Sequence, residues 1–487
     1  MNLPDSAPSA EPDFGSRRAR IAEFRDRYEP GRAAWRTRNA FYHAEDERAL
    51  RFLVPPDATV LSVGCGNGAE LAALRPRRGL GLDPSPRAIE AAIAAFPQIE
   101  FRVADIEGSD PFAGLGETFD VILLSDTVGW IGDIEEVLGR LHAVCHSDTR
   151  LVLSYHSPLW EPALRLAQKL GLKAPMPPLN WLGMRNLVTL LELAGFEPIR
   201  REWRTLLPVS LLGLGALVNR VLAPLPIVRA LCLRHYLVAR SRRVKAPEPT
   251  SATVVIPARN ERGNIEAAVR RLPEFCAHVE IVFVEGHSKD GTLDEMHRVK
   301  AAYPDRDIKI FVQEGTGKGD AVRKGFAEAT GEILMILDAD LTVPPEQIPK
   351  FFRQIVDGNG EFINGSRLVY PMEDQAMRTL NLIANHGFSV IFSWLLNQRF
   401  TDTLCGTKVL RKTHYERIAA NRLYFGDFDP FGDFDLIFGA VKLNLKVAEI
   451  PVRYLARSYG ETQISRFRHG WLLLRMVVFA WRKLKSY

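Results

Sequence analysis

Asp338 and Asp340 have the most chemistry to offer. They follow Ile333-Leu334-Met335-Ile336-Leu337 in the stretch GEILMILDADLT, residues 331–342. An unbroken apolar run is the pattern of a strand covered on both faces of a mainly parallel sheet. Ligands of open α/β sheets bind beyond the carboxyl ends of the strands, which is where both acids fall. Two carboxylates there can hold a divalent cation, and the cation a diphosphate. The competing reading is a surface turn, with Asp340 or Thr342 capping a helix that starts near Pro344-Pro345. Residues 314–321, EGTGKGDA, form a glycine-rich loop whose Lys318 suits a diphosphate. The loop lacks the Walker spacing, because Gly319 follows Lys318.

A second set lies in the first half. A strand at 60–63 runs into Gly64-Cys65-Gly66-Asn67-Gly68 and then a helix from Ala69. Such glycines let backbone approach a ligand closely. Residues 79–83 read as a strand ending in Asp83, an acid able to accept from two ribose hydroxyls. Strands at 99–103 and 119–126 lead to Asp105-Ile106 and to Asp126, and one at 150–155 precedes His156. Tyr155 and His156 are either a base and its orienter or ordinary strand-end residues. Asn39, Tyr42 and His43 lie upstream, as lid contacts or structural residues.

Strands alternating with helices imply a doubly wound parallel sheet, and the α/β pattern occurs twice. In the second half a strand at 253–256 enters a polar turn through Glu261. A strand at 280–284 ends in Glu285 before Asp290-Gly291, and a third spans 308–313. Residues 245–251, KAPEPTS, are a Pro-rich polar joint. The organisation expected is a disordered tail at 1–19 and domains at 20–247 and 248–487.

Hydrophobic content of 46% and charged content of 25% suit a folded protein of 487 residues. A net charge of +5 is small for that length, so no nucleic-acid partner is expected. Five scattered cysteines with no zinc-type spacing fit a reducing compartment. The N-terminus lacks the apolar core of a signal peptide. No run of about 20 apolar residues occurs, so no spanning helix is expected. Two apolar stretches, 206–233 and 471–481, have basic flanks: Arg234, Arg240, Arg242, Arg243 and Lys245 in one case, Arg466, Arg468, Arg475, Arg482, Lys483 and Lys485 in the other. They read either as interfacial elements on anionic lipid, the first as an amphipathic segment over 206–245, or as core helices with solvated ends.

VLSVGCGNG, GLD, VADI, FDVILLSD and LAGFEP, in that order, resemble the motifs of class I S-adenosylmethionine-dependent methyltransferases over about residues 35–240. The resemblance implies a Rossmann-like sheet binding S-adenosylmethionine. Gly64, Gly66 and Gly68 would pack under its methionine part, Asp83 would bind the ribose, Asp105 and Ile106 would frame the adenine, and Asp126 would lie beside the sulfonium. Ser62 stands where the family usually has an acid. A non-catalytic binding or scaffold module is the alternative.

VVIPARNE, VEGHSKDGT, GKGDAVRKGF, LDADLT, NGSR, the Arg378–Asn381–Asn385 set, TDTLCGTKVLRK and IPVRYLARSYGETQIS resemble family 2 glycosyltransferases. The similarity is in particular to dolichol-phosphate mannose synthases and their bacterial polyprenyl-phosphate relatives, over about residues 250–470. It implies a GT-A fold and inverting transfer of a hexose from a nucleotide diphosphate sugar to a polyprenyl phosphate on the cytoplasmic face of a membrane. Pro257, Arg259, Glu261 and Glu285 would hold the nucleotide, and Asp338 and Asp340 would bind Mg²⁺ or Mn²⁺. Lys318, Arg367 and Arg457 would contact phosphate, and Arg378 and Asn385 would bind substrate. The chain departs from the family at Val284, Thr342 and Gln463. Asp433 and Asp435 read as a helix start. Asp435 also falls near the family's acceptor-side acid, which a hydroxyl acceptor would need as a base and a phosphate acceptor would not.

Overall fold

The computed structural model describes residues 14–108, 111–112, 114–177, 179–370, 379–425, 432–457, 459 and 466–487. The chain forms two compact units, Met1–Lys245 and Ala246–Tyr487.

Unit 1 is built on seven strands: β1 Thr59–Val63, β2 Arg78–Asp83, β3 Glu100–Val103, β4 Phe119–Ser125, β5 Cys145–His156, β6 Phe196–Arg204 and β7 Arg234–Ser241. Their order is β3-β2-β1-β4-β5-β7-β6. The α/β expectation holds, but the sheet is not wholly parallel: β7 inserts antiparallel between β5 and β6. Leu61, Val63, Leu80, Leu82, Ile122, Leu124, Leu151 and Leu153 fill the core along the strands. Such runs are buried on both faces, as parallel sheets covered by helices require.

Two expectations for unit 1 are corrected. Residues 14–19, assigned to a disordered tail, belong to the helix Phe14–Arg38. The amphipathic segment 206–245 is not one element. Its last part is β7, every residue of which is buried. Arg234, read as a solvated flank, is fully buried because Asp46 and Asp126 compensate its charge. Arg240 pairs with Glu197 across the sheet, at 2.7 Å.

Unit 2 also has seven strands: β8 Ser251–Ala258, β9 His278–Glu285, β10 Asp307–Val312, β11 Ile333–Ile336, β12 Phe362–Ser366, β13 Lys408–Arg411 and β14 Val447–Pro451. The order is β10-β9-β8-β11-β13-β12-β14, with β13 alone antiparallel to both neighbours. The apolar run 333–337 is buried throughout, as its pattern predicts. The C-terminal helix Arg466–Leu484 turns Leu473, Met476 and Ala480 inward and leaves Trp471, Leu474 and Val478 exposed. Two of its expected lipid-facing cations are tied to protein instead. Lys483 donates to the Tyr424 carbonyl and Lys485 to the Asn397 side chain, both at 2.6 Å.

Candidate functional site

In unit 2 the sheet delivers its acids to one edge. Asp338 and Asp340 follow β11, Glu261 follows β8, and Glu285 ends β9. Lys318 Nζ lies 2.7 Å from Asp338 Oδ1 and 3.6 Å from Asp433 Oδ1. Arg457 Nη2 donates to Asp340 Oδ2 at 2.6 Å, and its Nη1 lies 3.7 Å from Glu261 Oε1. Thr342 donates twice to Asp340 Oδ1, from its amide at 3.1 Å and its hydroxyl at 2.8 Å. Burial opposes ionisation of Asp338, but the Lys318 ammonium outweighs it and holds the carboxyl below its usual range. Burial likewise opposes the charge on Lys318, yet Asp338 and Asp433 raise its pKa.

Glu285 accepts the amides of His287 at 3.0 Å and Ser288 at 2.5 Å. Glu261 accepts from Asn264 at 2.7 Å, and burial raises its pKa despite that bond. Pro257 lies within β8 and Arg259 is exposed just past it.

Two sequence expectations fare differently. Arg367, expected on phosphate, is committed to Asp402 through Nε at 2.6 Å and Nη2 at 2.8 Å, because Asp402 is buried and needs a counter-charge. Asp435, the expected acceptor-side acid, accepts from Arg422 Nε at 2.9 Å and lines an apolar recess with Ile418, Phe425 and Leu443. It is Asp433, two residues earlier, that joins the Lys318–Asp338 cluster, together with Lys408 at 3.7 Å. Arg378 lies outside the described residues, and Asn385 is placed only as part of the helix Thr379–Leu396.

Sequence reasoning overlooked Lys408 and Gly406. Met335 pairs with Val409 antiparallel. Continued beyond the strands, that register sets Gly406 beside Asp338, where a Cβ would collide with Asp338 Oδ2 and the Lys318 ammonium.

Asp338 and Asp340 fit a hard divalent cation: both offer oxygen, and Mg²⁺ binds through one or two carboxylates with water and substrate phosphates completing its shell. Among the described residues, no group of three His, Cys, Asp or Glu ligating atoms includes either acid.

In unit 1 Gly64, Gly66 and Gly68 all have left-handed backbone, with φ of 75°, 55° and 74°. Side chains close over the first and last. A Cβ on Gly66 would meet only the Arg32 guanidinium, at 3.5 Å. Asp83 accepts the amides of Gly66 at 2.8 Å and Ser85 at 3.0 Å. Turn and acid thus fit a nucleoside cofactor. Asp83 is fully buried, however, with the Ser85 hydroxyl bonded to Asp26 of the helix Phe14–Arg38. Asp105 is exposed and accepts the Glu107 amide, whereas the Ile106 side chain sits in the core.

At the ends of β4 and β5 lies a charged network. Arg234 donates to Asp126 at 2.5 Å, to Asp46 at 2.9 Å and to Ser154 at 2.8 Å. His156 Nδ1 lies 3.1 Å from Asp126 Oδ1, and its Nε2 3.0 Å from the Tyr42 hydroxyl. Burial lowers the His156 pKa, against the pull of Asp126, so the ring is neutral near pH 7. Glu70 was not singled out from sequence. Its pKa is raised by burial and then by Asp46 and Asp126, which puts another carboxyl beside the network.

Residues 34–200 match the family model for a methyltransferase domain, and residues 253–419 that for glycosyl transferase family 2. Unit 1 therefore carries a methyltransferase domain, and unit 2 a family 2 glycosyltransferase domain. A dolichol-phosphate mannosyltransferase of Pyrococcus furiosus is 30% identical over 217 residues, covering 44% of this chain and 59% of the relative. An undecaprenyl-phosphate 4-deoxy-4-formamido-L-arabinose transferase of Pseudomonas fluorescens is 24% identical over 222 residues, covering 44% and 61%. The chain thus spans about three fifths of the length of these two relatives. A solved Thermotoga maritima protein, described as a SAM-dependent methyltransferase and possible histamine N-methyltransferase, is 15% identical, covering 45% of this chain and 99% of that one, with a TM-score of 0.36.

Proposed function

We propose that the chain is a bifunctional enzyme. Unit 2 transfers a hexose, with inversion, from a nucleotide diphosphate sugar to a polyprenyl phosphate at the cytoplasmic face of a membrane. Unit 1 transfers a methyl group from S-adenosylmethionine to a separate acceptor. The observation that carries the first activity is the cluster at the edge of β8, β9 and β11: two acids, each held by a cation able to bind phosphate. Asp338 and Asp340 would hold Mg²⁺ or Mn²⁺, which when bound neutralises charge on a leaving diphosphate. Lys318 and Arg457 would turn from the acids to diphosphate oxygens and stabilise charge as the sugar–oxygen bond breaks. Glu261 and Glu285 would accept from the nucleotide. A phosphate acceptor is already anionic near neutral pH and needs no base, which agrees with the engagement of Asp435 by Arg422.

In unit 1 Asp83 and the glycine turn would hold S-adenosylmethionine, which when bound supplies an electrophilic methyl group. His156 can receive a proton at Nε2 by way of the Tyr42 hydroxyl, with Asp126 stabilising the charge that results. Among the described residues no helix is long and apolar enough to cross a membrane, so membrane attachment is proposed to be peripheral.

Changing Asp338 and Asp340 together to Asn is expected to lower hexose transfer to a short polyprenyl phosphate by a factor on the order of 100 or more. Undiminished transfer would overturn the proposal for unit 2. Calorimetry should show S-adenosylmethionine binding that Asp83→Ala weakens about tenfold or more, a loss of roughly 1.4 kcal/mol. The complete burial of Asp83 favours a second reading, in which unit 1 is a scaffold. Absence of binding heat with the intact chain would select it.

A further inference from the structure

Between β6 and β7 the chain makes a segment, residues 205–233, that leaves many large apolar side chains in water. In its helix Leu214–Val221 the buried residues are Gly215 and Asn219. Leu214, Leu217 and Val221 are 53%, 59% and 42% exposed. A helix on a water-facing surface has the reverse pattern.

Asn219 explains how this face is held. Its side chain accepts from the Leu207 amide at 2.9 Å, and donates to the Leu207 carbonyl at 2.9 Å and to Glu45 at 3.2 Å. The clamp turns the polar residue inward and the leucines outward. The preceding loop is equally fixed. The amides of Gly213 and Gly215 both donate to the Ser210 carbonyl, at 3.0 Å and 2.9 Å. Leu212, with φ of 57°, projects fully into solvent at the tip. Ile227 is 89% exposed in the return limb, and Trp160 donates to the Leu231 carbonyl of the same limb at 2.8 Å. Apolar surface kept in water by a built framework marks a contact surface rather than a packing defect.

Charge chooses the occupant. No Asp or Glu occurs from residue 203 to 247, and Arg220 and Arg229 lie within the segment. Apolar anchors with only cations among them, and a tryptophan at the rim, complement an anionic lipid surface. We infer that unit 1 docks on an anionic bilayer through this segment, with Leu212 and Leu217 entering the interface. The inference rests on the peripheral-membrane reading above and goes further: it assigns the lipid contact to the methyltransferase half of the chain.

The test is flotation of the full chain with vesicles of phosphatidylcholine alone and with about one quarter phosphatidylglycerol. The intact chain should float with the anionic vesicles. Leu212→Glu combined with Leu217→Glu should lower the bound fraction about tenfold or more. Ile93→Glu, which replaces an exposed apolar residue of the helix Pro86–Ala95 outside the segment, should leave it unchanged. Circular dichroism melts should match the intact chain, since all three positions are exposed. Binding by the intact chain that survives the double substitution overturns the inference and leaves the peripheral-membrane reading standing. Absence of binding by the intact chain overturns both. Self-association that the double substitution abolishes, without vesicle binding, assigns the face to a second copy and overturns the inference as well.

Discussion

Gly406 illustrates how much can hang on an absent side chain. The Asp338 carboxylate and the Lys318 ammonium occupy the space a Cβ would take. The backbone there does not need glycine, so Gly406→Ala should fold. The substitution must nonetheless push Asp338 or Lys318 aside. The proposed hexose transfer should fall at least about tenfold, because misplacing a reacting group by even an ångström is costly. Stability should change by no more than about 1–3 kcal/mol. Steady-state assay and a thermal melt on one preparation check both; full activity would place the reacting centre elsewhere. The acids at the ends of β9 and β11 were legible because an apolar run ending in a carboxylate is a local pattern. The choice of Asp433 over Asp435 was not. Both begin one helix, and only packing decides which turns to Lys318 and which to Arg422.

Among the elements, β7 was the hardest to read. Its arginines count as solvated charge in sequence, since the compensating acids lie 188 and 108 residues away. Once paired, Arg234 ties the helix carrying Asp46 to the ends of β4 and β5. Arg234→Ala leaves those acids uncompensated in the interior and should destabilise unit 1 by about 3–5 kcal/mol. Denaturant titration measures it; a loss under about 1 kcal/mol would mean the network is solvated. β7 and β13 share one device. Each is the antiparallel strand of its sheet, so each begins at the edge where its parallel neighbours end. That is how Arg234, Gly406 and Lys408 reach sites that parallel strands reach only at their last residue.

At the scale of the whole molecule, the histidines of unit 1 set a pH dependence. Burial, then Arg234 and His156, lower the His235 pKa to about 4. Burial and Arg36 bring His43 to about 4 as well, and His156 is shifted in the same direction. A histidine held neutral in the fold takes up a proton on unfolding. Its contribution is complete above the unfolded value near 6.5 and is lost as pH falls from there towards 4. For His235 the loss is on the order of 3 kcal/mol. Between pH 7 and pH 5 the His235 share of that loss is about 2 kcal/mol, and His235→Gln should reduce the difference in unfolding free energy by that amount. An unchanged midpoint would show these rings to be protonated in the fold. Periodicity and punctuation in the sequence determined two α/β halves, the places of most strands along the chain and the acids at their tips, because each is a property of neighbouring residues. Tertiary structure decided the direction of β7 and β13, the partners of Arg234, Arg367 and Asp435, and the outward turn of the leucines around Asn219. Each of those depends on which distant group fills the space or balances the charge.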